Sequence, residues 1–116
     1  MRSMEKYELI LLAPAQSELE EIALVHFELA GPQSAQEVTD RIYSYLEKLQ
    51  SYPELGIACR DKELALQGYR MLICGQHLCF YRTIENKVFV YHIVDGRANY
   101  PKLLDHLKRK DIGASS

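Results

Sequence analysis

Basic and aromatic residues that could bind nucleic acid are concentrated in the second half of this chain. The cations that could contact a phosphate are Arg60, Lys62, Arg70, Arg82 and Arg97, and Tyr100 follows three residues beyond the last of them. Guanidinium groups on phosphate and aromatic rings on bases are the usual means of recognising single-stranded nucleic acid. The pattern therefore predicts a phosphate-binding surface, although arginines on a sheet can also be merely solvated.

The distribution of charge favours the same half of the chain. Residues 1–58 carry four basic and ten acidic side chains, whereas residues 59–116 carry ten basic and six acidic ones. The small net charge of −2 thus hides a first half at −6 and a second half at +4. A surface with positive potential attracts nucleic acid, because side chains that neutralise its phosphates release the counterions bound to them. The alternative is that the N-terminal helices are simply acidic.

Histidines and cysteines offer fewer candidates for chemistry. His77 and His92 fall in the strand-rich region and could bind substrate, or could each be buried with one hydrogen bond. The chain has no glycine-rich phosphate loop, metalloprotease motif or nucleophile elbow. Its three cysteines lack the paired spacing of zinc or disulfide frameworks, so we expect reduced thiols and neither a metal nor a cofactor.

The elements that must position these residues can be inferred from apolar spacing and turn signals. They are a strand at Tyr7–Leu12, a helix from Ala15 that Gly31-Pro32 ends, a second helix from a Ser34–Glu37 capping box, strands at Tyr69–Cys74, Leu78–Ile84 and Lys87–Val94, and a helix at Asn99–Lys110. Between the second helix and the second strand we expect a polar connector. Two-residue turns make the last three strands an antiparallel meander, whose strand ends could gather the cations on one edge.

The order β-α-α-β-β-β-α predicts one α+β domain over residues 1–116, with a small antiparallel or mixed sheet packed against an N-terminal helical hairpin. No apolar run approaches the roughly 20 residues that would cross a bilayer, and charged residues interrupt the N-terminus. We therefore expect a cytoplasmic protein with no membrane partner.

Five short segments together resemble the RelE/ParE toxin family of bacterial toxin–antitoxin systems. They are APA (13–15), YPELG (52–56), LQGYR (66–70), FYR (80–82) and HIVDGRANY (92–100), and the resemblance covers residues 6–108. It implies a compact α+β fold, growth arrest by the free toxin, a role such as plasmid stabilisation, and a cognate antitoxin that wraps the toxin in a hetero-oligomer. RelE-like members cut messenger RNA on the ribosome, whereas ParE-like members inhibit DNA gyrase.

The resemblance also implies roles for individual residues if the chain is a metal-independent mRNA endoribonuclease, which is our first expectation. Arg70 would hold the scissile phosphate, Arg97 would stabilise the transition state or leaving group, and Tyr100 would stack on a base. Lys62 is the candidate that activates the 2′-OH. The expected substrate-binding residues are Arg60, Arg82, His77 and His92.

Two departures from the family pattern keep other functions open. Many members have a second arginine where this chain has His77-Leu78, and ribosome-directed members are strongly basic. The alternatives are a non-enzymatic, ParE-like gyrase inhibitor and a toxin fold without activity.

Overall fold

The computed structural model describes the backbone of residues 6–115 and the side chains of residues 6–108. In chain order the elements are β1 (Glu8–Leu11), α1 (Ala13–Ala30), α2 (Pro32–Lys48), β2 (Ile57–Ala58), α3 (Lys62–Leu66), β3 (Arg70–Cys74), β4 (His77–Ile84), β5 (Lys87–Asp95) and α4 (Tyr100–Ser115). The α+β class is confirmed. No helix in residues 6–115 is both long and apolar enough to cross a membrane.

The strands form one mixed sheet in the order β1-β5-β4-β3-β2. β3, β4 and β5 are the expected antiparallel meander, and β1 lies parallel to β5 at the far edge. The register between β4 and β5 shifts at Phe80/Tyr81: Phe80 pairs with His92 and Tyr81 with Val90, so Tyr91 is an extra residue. Such a β-bulge changes which face of a sheet the following residues occupy.

The helical hairpin of α1 and α2 covers one face of the sheet, which we call the hairpin face. Leu19 of α1 and Ile42 and Leu46 of α2 are buried against it, as their three- and four-residue spacing predicts. α1 ends at Gly31, whose φ of +93° is a left-handed conformation that suits glycine and whose N–H donates to the Phe27 carbonyl at 2.8 Å.

The capping box expected at Ser34–Glu37 does not form. α2 begins at Pro32, because proline is well suited to a first helical position, and Ser34 therefore lies within its first turn. The Ser34 hydroxyl pairs instead with Nδ1 of His26 at 3.3 Å, and Glu37 accepts a hydrogen bond from Gln33 at 3.2 Å.

The expected polar connector contains two short elements. β2 adds two residues to the edge of the sheet, where Ile57 pairs with Met71 and Ala58 with Arg70. α3 begins after Asp61, whose carboxylate accepts a hydrogen bond from the Leu64 N–H at 3.2 Å. These elements were missed because the segment is polar and Leu64 is the one buried side chain that α3 contributes.

The opposite side of the sheet, which we call the α4 face, is covered by α3 and α4. Leu104 and Leu107 of α4 are buried there beside Phe80 and Tyr91 of the sheet. The Tyr100 ring packs on Phe80 with 5.3 Å between the ring centroids. The sheet therefore has helices on both faces, and α4 runs five residues further than the sequence predicts.

Candidate functional site

Arg70 lies at the start of β3 on the hairpin face. It pairs with the buried Tyr81, and it shares its face of the strand with Leu72, two residues later, which belongs to the same core. Its Nε donates to the Gly56 carbonyl at 3.1 Å, and one terminal nitrogen donates to the Glu54 carbonyl at 3.4 Å. The guanidinium group therefore holds the backbone of the segment between α2 and β2.

Tyr81 holds the same segment from the sheet. Its hydroxyl donates to the Pro53 carbonyl at 2.7 Å and accepts the Gly56 N–H at 2.9 Å. Burial raises the pKa of Tyr81, so the neutral phenol that can do both is retained. A Cβ on Gly56 would lie 2.7 Å from the Met71 carbonyl oxygen. The YPELG segment is thus conformationally fixed by contacts within the fold.

Arg82 lies on the α4 face, because it is two residues after Phe80 on β4 and residues two apart share a face of a strand. Its guanidinium carbon is 4.5 Å from the ring centroid of Tyr69, a cation–π contact. Its terminal nitrogens donate to the Gln67 carbonyl at 3.3 Å and to the Tyr91 hydroxyl at 3.1 Å. The side chains of Arg70 and Arg82 therefore lie on opposite faces of the sheet.

Arg97 is bound to its own turn after β5. Its Nε and one terminal nitrogen donate to the two carboxylate oxygens of Asp95, at 3.0 and 2.8 Å, and its backbone N–H adds a third bond at 2.8 Å. The Arg97 guanidinium holds the pKa of Asp95 well below its usual range. The Arg97 side chain remains 80 % exposed, so the pair is a surface ion pair.

His77 and Arg97 line one groove at the end of the sheet. The groove has a volume of about 360 Å³ and continues onto α1, where Val25 and Leu29 line it. Burial is the main cause that lowers the pKa of His77, which favours a neutral ring. The groove combines apolar helix residues with polar groups from the ends of two strands.

His92 is on the α4 face and only 3 % exposed. Its Nδ1 donates to the Glu18 carboxylate at 2.9 Å, and its Nε2 faces Nε2 of His106 at 2.7 Å. The ring is therefore closed to a substrate in this conformation.

Arg60 and Tyr100 share a second cavity, of about 340 Å³, between α3, α4 and the sheet. Phe80 contributes to its apolar wall. At its rim Lys108 forms an ion pair with Asp61, which lowers the pKa of Asp61 and raises that of Lys108. Lys62 is exposed on the first turn of α3 and does not line this cavity.

The structure therefore brings some of the expected site residues together but separates the group as a whole. Arg60 and Tyr100 share the cavity under α4, and His77 and Arg97 share the groove beside α1. Among the described side chains, no cluster of three His, Cys, Asp or Glu residues is suited to a metal ion. Sequence reasoning missed Glu18, which is one of several glutamates along α1, and the roles of Tyr81 and His106.

Comparison with known proteins decides the family. Residues 9–100 match the family model described as ParE toxin of type II toxin–antitoxin system, parDE. Toxin ParE1 of Mycobacterium tuberculosis, in the CDC 1551 and H37Rv strains, is 30% identical over 96 residues, which span 81% of this chain and 95% of the relative. The chain belongs to the ParE toxin family. It is accordingly a toxin of the type II toxin–antitoxin class.

Solved structures show that this ParE-family toxin shares its fold with toxins of such systems. The chromosomal ParDE system of P. aeruginosa contains a chain that superposes with a TM-score of 0.66 at 18% identity, covering 78% of this toxin and 96% of that chain. The RelBE2 toxin–antitoxin complex of Mycobacterium tuberculosis contains one with a TM-score of 0.57 at 15% identity, covering 82% and 97%. At these identities the likeness concerns the fold alone.

Proposed function

We propose that this ParE-family toxin arrests growth by binding a protein target, DNA gyrase, and that a cognate antitoxin neutralises it. The observation that carries the proposal is the commitment of Arg70, the expected phosphate ligand, to the Glu54 and Gly56 carbonyls. Membership of the ParE family favours the same function, because ParE-like members of the RelE/ParE family, which the sequence resembles, inhibit gyrase. This was the second of the two main functions that the sequence left open.

With the residues expected here, RNA cleavage without a metal would depend on several cationic donors that converge on one phosphate. Here the donors of Arg70 and Arg82 are directed at carbonyls and a phenol on opposite faces of the sheet. Arg97 is paired with Asp95 at a third place, in the groove beside α1. Recruiting Arg70 and Arg82 to RNA would break the hydrogen bonds that they make within the fold.

A cognate antitoxin is the second part of the proposal. Both similar solved structures are toxin–antitoxin systems or complexes, and the family resemblance implies a wrapping partner. The helical hairpin leaves large apolar side chains exposed, among them Leu24, Phe27 and Leu29. Co-expression with a small neighbouring reading frame should restore growth and yield a co-purifying complex. Growth arrest that no such neighbour relieves, with no complex formed, would argue against an antitoxin.

The target is tested by assaying the purified toxin against both substrates. We expect inhibition of DNA supercoiling by gyrase and intact messenger RNA in a ribosome-coupled cleavage assay. The variant Arg97→Ala removes only an exposed ion pair, worth about 0–1 kcal/mol, so it should fold and remain toxic. Ribosome-dependent mRNA cleavage that Arg97→Ala abolishes would reject gyrase inhibition in favour of the nuclease.

One observation favours that nuclease as a second candidate. Arg60 and Tyr100 line the same cavity on the α4 face, which provides a cation and an aromatic ring within one concave site. Under this alternative Lys62, at the start of the neighbouring α3, would activate the 2′-OH. Loss of mRNA cleavage in both Tyr100→Ala and Lys62→Ala would support it. A toxin fold without activity would leave growth unaffected when expressed alone.

A further inference from the structure

Three titratable side chains from three separate elements are hydrogen-bonded in a row. Glu18 comes from α1, His92 from β5 and His106 from α4. Glu18 Oε2 accepts from His92 Nδ1 at 2.9 Å, and the Nε2 atoms of the two histidines are 2.7 Å apart. The row therefore joins the helix at one edge of the sheet to the helix that covers the α4 face.

Glu18 is held in this position by the sheet itself. β1 pairs with β5 only as far as Leu11 and Val90, so β5 continues beyond the end of its neighbour. Glu18 Oε1 accepts the Ile93 N–H at 2.8 Å, where a longer β1 would have supplied an acceptor. Because an ionised carboxylate can only accept, its other oxygen requires a proton on Nδ1 of His92. Nε2 of His92 is then directed at α4.

The contact between the two histidines has the geometry of a hydrogen bond that shares one proton. The rings are perpendicular, at 87°, and their centroids are 5.0 Å apart. The Nε2 atoms are 2.7 Å apart, so the rest of the centroid separation is the distance from each nitrogen to the centre of its own ring. The two ring centres and the two nitrogens therefore lie close to one straight line. Such a linear arrangement suits N–H···N bonding. A metal bound by both rings would instead need the bent ligand angle of a tetrahedral site.

We propose that Glu18, His92 and His106 form a proton-operated latch that fastens α4 to the sheet. With both histidines neutral, one nitrogen donates and the other accepts. One added proton preserves the latch, because a His92 imidazolium can donate to Glu18 on one side and to His106 on the other. A second added proton places two N–H groups and two positive charges face to face, and the bond is lost.

The hydrogen bonds of His92 make this row a proton-dependent contact between β5 and α4. Among the described residues, the titratable side chains that hydrogen-bond His92 are Glu18 and His106, and its register partner on β4 is the uncharged Phe80. The buried contacts of α4 nearby come from Leu104 and Leu107, which do not titrate. The Lys108–Asp61 ion pair adds a second attachment of α4, at α3. Because the pKa of Asp61 is lowered, this ion pair persists over the pH range in which an ordinary histidine gains a proton, so we assign the response of α4 in that range to the histidine pair.

Release of α4 would uncover the cavity in which Tyr100 and Leu104 lie against Phe80. The latch thus controls access to the α4 face, whichever target the toxin binds. It does not depend on the proposed inhibition of gyrase.

The latch is tested on the full chain by NMR. Amide hydrogen exchange of residues 100–108 is compared with that of β4 from about pH 7.5 to about pH 4.5, after correction for intrinsic exchange, a range that brackets an ordinary histidine. Wild-type protection of α4 should fall about tenfold or more in acid while β4 changes little, because hydrogen bonds to charged groups are the strong ones. His106→Gln, which cannot gain a proton, should remove this dependence on pH.

A matched control and a second measurement keep the result interpretable. His26→Gln changes a histidine that pairs with Ser34 outside the row, so it should behave as wild type. In the wild type, the ring ¹⁵N chemical shifts of His92 should show a proton on Nδ1, the atom that donates to Glu18. The proposal is overturned if wild-type α4 protection does not change with pH, if His106→Gln retains the wild-type dependence, or if Nδ1 of His92 carries no proton.

Discussion

Replacing Tyr81 with phenylalanine removes a single buried oxygen that serves two backbone groups. The hydroxyl donates to the Pro53 carbonyl at 2.7 Å and accepts the Gly56 N–H at 2.9 Å, and Tyr81 is fully buried. In Tyr81→Phe both backbone groups lose this partner while the ring continues to fill the core. Leaving a buried donor or acceptor unsatisfied costs about 1–3 kcal/mol. We therefore expect the free energy of unfolding to fall by about 2 kcal/mol.

Urea denaturation and thermal unfolding measure this loss. For a domain of this size, about 2 kcal/mol corresponds to a fall in Tm of roughly 5–10 °C. Amide exchange at Gly56 should become faster, because its N–H loses the phenolic acceptor. Tyr43→Phe is the matched control, since it removes a hydroxyl from a tyrosine that is 38% exposed on α2. If Tyr81→Phe loses no more stability than Tyr43→Phe, the phenol does not anchor the YPELG segment and our explanation of that motif is wrong.

Three further predictions concern Gly56, Asp61 and Cys59. Gly56→Ala places a Cβ 2.7 Å from the Met71 carbonyl oxygen, and we expect a loss of about 1–3 kcal/mol in urea unfolding. Asp61→Asn can still cap α3 but loses the ion pair that lowers the pKa of Asp61. The wild type should therefore be the more stable at pH 7, and this advantage should vanish as the pH falls through the lowered pKa. Burial, aided by the Asp61 charge, raises the pKa of Cys59 to about 11, so wild-type stability should fall from about pH 9 towards pH 11, and Cys59→Ala should remove that component of the loss.

Several features of the fold follow directly from local sequence patterns. The three- and four-residue spacing of Leu19, Ile42 and Leu46 predicts the buried stripes of the hairpin, and the structure buries all three. Gly31-Pro32 predicts the break between the helices, because glycine accepts the left-handed conformation and proline starts the next helix. The two-residue turns at Gly75-Gln76 and Glu85-Asn86 predict the meander. These features depend on neighbours within a few residues.

The candidate site was less accessible to sequence reasoning, because the use of each cation depends on acceptors far along the chain. Arg70 is predicted to bind phosphate, but the sequence gives no sign that its Nε donates to the carbonyl of Gly56, fourteen residues earlier. Arg82 reads as an exposed strand arginine until the rings of Tyr69 and Tyr91 enclose it. The assembly of a phosphate site requires free donors, and sequence spacing does not report which donors are free.

The sequence alone determined the basic second half of the chain, the order of its longer helices and strands and the joint spacing of its motifs, and these were sufficient for the family. The tertiary structure decided which of these residues meet. Simple alternation along β5 would place Tyr91 and His92 on opposite faces, but the bulge at Tyr91 leaves His92 opposite Phe80 on the α4 face. There His92 joins Glu18, 74 residues earlier, to His106 on α4. Periodicity is a local property, whereas register and the meeting of distant side chains are set by how the whole sheet packs.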